Sequence, residues 1–230
     1  MRLAKPRLDI GLFTPRIAAQ RAFWSDTVGL PFDHELMLRA GWIQHRYDAH
    51  GSVVKVNHYE APLPALPPSG YVEAIIATPG EGRVRALADP DGNRVRLVPP
   101  GTRGVTRLGI VVRTPDPARM MAFYGEAMEF ERVAPHIARC GDTLLLIEEG
   151  PGGSETDTFI GPGWRYLTVQ IFDADAACAA IVARGGRLAQ APVDFRDVAR
   201  YGFVKDPDGN WIEISARRSL TGIPPGAKHA

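Results

Sequence analysis

The chain has 230 residues, of which 45% are hydrophobic and 23% charged, with a formal net charge of +1. That is enough apolar material for a packed core, and it argues against a disordered chain. A near-neutral balance removes the electrostatic reason to expect nucleic acid or a membrane surface as a partner. The two cysteines, Cys140 and Cys178, form no Cys-x-x-Cys pair and read as buried small residues of a reducing compartment. The basic N-terminus lacks the apolar run of a signal peptide, and Pro, Asp or Arg interrupts every longer apolar stretch. The expectation is a soluble cytoplasmic protein.

In chain order, residues 8–14 read as a strand and 17–28 as a helix carrying Phe23-Trp24, with Gly29 as its break. Residues 51–58 form a further strand-like run, and a Pro-rich connection covers 62–69. A strand follows at 71–76, a loop at 78–82, and apolar runs at 84–88 and 94–98 flank Asp-Pro-Asp-Gly-Asn at 89–93. Asp opens such a turn, Pro presets φ, and Gly accepts positive φ, so the pentapeptide is a hairpin tip.

After a short linker at 101–104 the pattern starts again. A strand at 107–113 sets Gly109 opposite Gly11, a helix at 118–128 carries Phe123-Tyr124, and a strand-like run follows at 141–148. Residues 150–163 are Gly-rich, without the Lys-Ser/Thr ending of a phosphate loop, and read as a plain connection. Then come a strand at 166–171, a helix at 175–184 ended by Gly185-Gly186, a second Asp-Pro-Asp-Gly-Asn at 206–210, and a strand at 211–215. Tyr71 stands 18 positions before Asp89, whereas Tyr166 stands 40 before Asp206, so the first half lacks a helix there. The repeating unit is strand–helix–strand–strand–strand (βαβββ). The expected domains are 1–102 and 105–216, with a mobile tail at 217–230.

This repeat, with its paired pentapeptides and a last strand bearing Glu213, resembles the vicinal oxygen chelate superfamily of glyoxalases, extradiol dioxygenases and bleomycin-binding proteins. The resemblance implies an α+β fold in which two units per domain form a curved mixed-sheet cup with helices outside. It also implies, in metal-dependent members, ligands from the first and last strands of each unit, usually His and Glu. In the first half those positions fall on Asp9, Lys55, Tyr71 and Arg96, and in the second on Arg107, Leu145, Tyr166 and Glu213. Only Asp9 and Glu213 are ordinary ligands, because an arginine has no lone pair to offer a metal.

Two opposite-charge pairs are therefore expected, Asp9 with Arg96 and Arg107 with Glu213, each standing in for a cation. They read either as structural links or, through Arg107 with Tyr166 or Lys55 with Arg96, as holders of an acidic or phenolic ligand. Trp164 would be an aromatic wall or edge packing, and His45 and His58 mark a displaced metal site as an alternative. His50 lies in the turn between them, His34 and His136 have no evident partner, and His229 belongs to the tail.

The favoured expectation is a small organic ligand in the second-domain cup, with Tyr166 and Glu213 as proton donor and acceptor, no cofactor, and lyase or isomerase chemistry. The alternatives are a glyoxalase-like or ring-cleaving enzyme using iron, manganese, nickel or zinc through displaced ligands including Glu213, and a non-catalytic binding protein or homodimer.

Overall fold

The computed structural model describes residues 1–226 and contains four copies of the unit, the second without a helix. The first comprises β1 (Leu3–Thr14), α1 (Ile17–Ala22), β2 (Phe32–Arg39), β3 (Trp42–Ala49) and β4 (Ser52–Tyr59). The second has β5 (Tyr71–Ala77), β6 (Arg85–Ala88) and β7 (Arg94–Val98). The third has β8 (Leu108–Thr114), α2 (Pro117–Ala122), β9 (Glu131–Ala134), β10 (Ile137–Cys140) and β11 (Thr143–Glu149). The fourth has β12 (Gly163–Ile171), α3 (Ala174–Ala183), β13 (Arg187–Phe195), β14 (Ala199–Lys205) and β15 (Trp211–Arg217). A helical turn, α4 (Arg218–Thr221), follows directly, so the expected tail is ordered at its start; its residues 227–230, with His229, lie outside the described residues.

Two mixed sheets result, but each joins units from different halves of the chain. The eight-stranded sheet runs β13-β14-β15-β12-β1-β4-β3-β2, and the seven-stranded sheet β6-β7-β5-β8-β11-β10-β9. β1 pairs antiparallel with β12, setting Gly11 opposite Tyr166, while β5 pairs with β8, setting Ile75 opposite Gly109. The expectation that each half closes its own cup is corrected by this pairing. Its physical reason lies in the connections. The short turn Thr102–Gly104 keeps the second and third units in one sheet, while the longer connections after β4 and β11 carry the chain across.

Within each half the two units are held back to back through the pentapeptide. Asp206 accepts from the backbone of Asp208 and Asn210, from the Asn210 amide and, at 3.2 Å, from the Tyr124 hydroxyl. Asp89 does the same with Asp91 and Asn93, and takes its fourth bond from Gln20, which in turn accepts from the Trp24 indole. Both helices end in a π-helical turn, Phe23–Thr27 and Phe123–Ala127, which carries Trp24 and Tyr124 at matching places. The turn motif is thus also a docking point for the preceding unit's helix. Burial pushes the Asp206 carboxyl up to about 6 despite these donors.

Strand alternation sends one set of side chains to a large shared core and the other into the cups. Leu108, Ile110 and Val112 lie in the shared core, whereas Val111 faces the seven-stranded cup. Cys140 and Cys178 are buried free thiols. The two cups then differ in filling. In the seven-stranded one, Val105, Val111, Leu144, Leu146, Ile75 and Val98 close the space with apolar packing. A side chain at Gly109 would have its Cβ 2.7 Å from Val105, so glycine there makes room for the plug. The eight-stranded cup stays open and polar.

Candidate functional site

The open cup holds a cavity of about 220 Å³ between β3, β4, β12, β14 and β15. Its wall combines apolar rings, chiefly Trp42, Phe159, Tyr201 and Phe203, with Lys55, Tyr166 and Glu213. Phe159 comes from the Gly-rich segment expected to be a plain connection. Its ring packs against Phe203 (4.6 Å between centroids), Tyr166 (5.3 Å) and Phe13 (5.8 Å), so the segment closes one end of the cup. Beside it, Thr156 accepts from the Trp211 indole, and Lys205 is paired with Glu155.

At the floor of the cavity, Lys55 Nζ donates to Glu213 Oε2 at 2.9 Å and to Thr168 Oγ1 at 2.6 Å, and Thr168 donates on to the same Oε2 at 2.7 Å. Both bonds fall on one carboxylate oxygen, leaving Oε1 without a hydrogen bond among the described residues. Burial lowers the Lys55 pKa, opposed by the charges of Glu213 and Asp9. Asp9 lies on the same face of β1 as Gly11. It accepts from Lys5 and from the Val53 amide, and its Oδ2 is buried without a partner.

A chain of amides fixes the orientation of Tyr166. The Trp42 indole, which can only donate, binds Asn57 Oδ1 at 2.9 Å, so the Asn57 amide nitrogen faces the Leu12 carbonyl and the Tyr166 hydroxyl. The Arg46 guanidinium, also only a donor, binds Gln44 Oε1 at 2.7 Å, so Gln44 Nε2 donates to Asn57 Oδ1 and to Tyr166. The Tyr166 oxygen therefore accepts two bonds, and its own proton has no acceptor among the described residues. Burial, reinforced by the Glu213 charge, raises its pKa and keeps the phenol neutral. Its ring lies so close over Gly11 that a Cβ there would stand 2.1 Å from Tyr166 Cε1.

Of the residues singled out from the sequence, the fold unites Asp9, Lys55, Tyr166 and Glu213 in one cup, two from each half. The expected ion pairs do not form. Arg96 binds Glu73 at 3.0 Å in the closed cup, and Arg107, half exposed, lies 3.5 Å from Asp142 and donates to the His50 carbonyl. They separate because the units bearing them belong to different sheets. Tyr71 and Leu145 lie in the shared core, Tyr71 with its hydroxyl on the Trp211 carbonyl. Trp164 packs edge-to-face on Trp24 at 5.9 Å and is buried away from the cavity.

Arg46, Gln44, Asn57, Thr168 and Arg217 line or support the site without having been singled out. Their signal was present in the alternation of Trp42, Gln44 and Arg46 and of Lys55, Asn57 and Tyr59, where polar side chains share one face of otherwise apolar strands.

A divalent cation does not suit this donor set. An ammonium stands among the four positions, the phenol is neutral, and Asp9 is bound by Lys5 and Val53. His45 and His58, with ring centroids 6.5 Å apart, do not line the cavity, and His45 Nδ1 lies 3.1 Å from Glu35. Among the described residues no three His, Cys, Asp or Glu side chains group to hold a metal, and no helix is long and apolar enough to cross a membrane.

Paired βαβββ units curved round a cavity define the vicinal oxygen chelate fold. Residues 107–214 match the model of the Glyoxalase/Bleomycin resistance protein/Dioxygenase superfamily. A mutant of glyoxalase I from Zea mays superposes with a TM-score of 0.71 at 13% identity, over 94% of this chain and 93% of that one. A second mutant of the same enzyme gives 0.70 at 14% identity, over 94% and 92%. At such identities the likeness establishes the fold. No curated protein matches the sequence.

Proposed function

We propose that the eight-stranded cup binds a small organic molecule and rearranges it without a divalent cation, as a lyase or isomerase does. The observation that carries this reading is the Lys55–Glu213 pair on the cavity floor, at strand positions which the family resemblance assigns to a metal. In that reading Glu213 Oε1 takes a proton from the bound molecule. The Lys55 ammonium and the Tyr166 hydroxyl stabilise charge that builds on a ligand oxygen, since a preorganised donor in a buried site needs no reorganisation. Tyr166 contributes a hydrogen bond, because its burial disfavours release of the proton.

Metal analysis of the purified protein tests the proposal. It predicts no stoichiometric divalent ion, and ligand binding that is unchanged by a chelator. A tightly held ion that disappears in Glu213→Gln would overturn it.

A further inference from the structure

Resting on that reading of the cup, the structure also bears on what kind of molecule enters. Four cationic side chains, Arg39, Arg46, Lys55 and Arg217, and one carboxylate, Glu213, line the cavity. Lys55 is satisfied by Glu213 and Thr168, and Arg39 stands at the rim, donating to Tyr59. Two guanidiniums remain.

Arg46 is 5% exposed, and beyond its bond to Gln44 its Nε has no hydrogen-bond partner. The nearest carboxylate, Asp33, lies 3.9 Å from that nitrogen, outside hydrogen-bonding distance. Arg217, half buried at the end of β15, makes no ion pair within 4.0 Å among the described residues. The two also act on each other: burial first, and then the charge of Arg46, lower the Arg217 pKa, against the charges of Glu213, Asp9 and Asp33, which raise it. Two like charges directed into one cavity, one of them buried and incompletely bonded, are costly unless an anion joins them. The rest of the lining is mainly apolar, the rings of Trp42, Phe159, Tyr201 and Phe203 with Leu36 and Leu38.

We propose that Arg46 and Arg217 form an anion subsite, and that the ligand is an organic anion, a carboxylate on an aromatic or otherwise apolar body. The carboxylate bridges the two guanidiniums, the body packs against the cavity-facing sides of Trp42 and Phe159, whose rings touch at 6.1 Å between centroids, and an oxygen of the body meets the Tyr166 proton. Arginine suits this role because its planar fork matches a carboxylate.

Isothermal titration with 3-phenylpropanoate and 2-naphthoate, against their matched primary amides, tests the class. The carboxylates are expected to bind about tenfold or more tightly than the amides, the ratio that one charge-assisted hydrogen bond gives. Arg217→Gln, at a partly buried position at the end of β15, and Arg46→Gln should each remove that preference in protein whose melting shows it folded. Equal binding of acids and amides, or a preference that survives Arg217→Gln, overturns the anion subsite and leaves the cup reading standing. No saturable binding of any of the four overturns both.

Discussion

Lys55 and Glu213 meet at 2.9 Å although they come from the last strands of the first and fourth units, 158 residues apart. The Lys55 side chain is 4% exposed and that of Glu213 17%, so the bond ties the first unit to the fourth at the mostly buried floor of the cup. Removing one partner strands the other. Lys55→Met should lower stability by about 3 kcal/mol, while Lys55→Met with Glu213→Leu should recover much of that loss. Urea unfolding of the two variants checks this through the midpoint at unchanged slope.

Asp9 gives the pH dependence of the same cup. Burial pushes its carboxyl up, but the charges of Lys5, Lys55 and Arg46 outweigh burial and hold its pKa below the ordinary value. A depressed folded pKa contributes stability above the unfolded value of about 4, and loses it as the pH falls through the folded pKa. Asp9→Asn should therefore cost stability at pH 7 and progressively less as the pH is taken below about 4. A penalty independent of pH across that range would contradict the assignment.

Tyr124 and Asp206 should behave in the opposite sense. Asp206 is raised to about 6. Its protonated form favours the fold below its unfolded value of about 4, and that contribution is lost as the pH rises through about 6. The Tyr124 hydroxyl donates to this carboxyl. Tyr124→Phe should then destabilise by about 1–3 kcal/mol, with the larger loss at pH 8, where Asp206 is an anion, than at pH 5. Denaturation curves at the two pH values give the comparison directly.

Gly11 is the narrowest point in the site. Gly11→Ala places a methyl where the Tyr166 ring lies, and should cost about 1–3 kcal/mol by overpacking. It should also displace Tyr166 and weaken ligand binding. Gly125, with nothing within 4 Å of an added Cβ, is the control and should tolerate alanine. Melting curves of both variants separate the steric effect from a general intolerance of substitution.

The repeat, the hairpin tips and the cup-facing sets of side chains were legible because they are local: Asp-Pro-Asp-Gly fixes a turn, and alternation fixes a face. Glu213 and Tyr166 could be singled out because the family resemblance assigns ligands to those strand positions and alternation turns them to the cup. Their partners could not. Units of one pattern present equivalent first strands, and nothing within β1 says whether it pairs with β5 or β12. That choice rests on connection lengths and on close fits such as Gly11 beneath Tyr166, which involve residues far apart in sequence. Arg96 and Arg107 were assigned to a cup with Asp9 and Glu213 for this reason, and the fold parts them.

The crossed pairing also sets what the two cups are free to become. Were two identical half-length chains to pair in this way, rotational symmetry would make both cups the same, and a plug in one would be a plug in the other. Joining the halves in one chain lifts that constraint. Gly11 and Gly109 occupy equivalent places, yet one shelters a phenol beside a cavity and the other admits Val105 into a sealed interior. One cup carries the packing, and the other can hold a buried arginine, an orphaned carboxylate oxygen and open space.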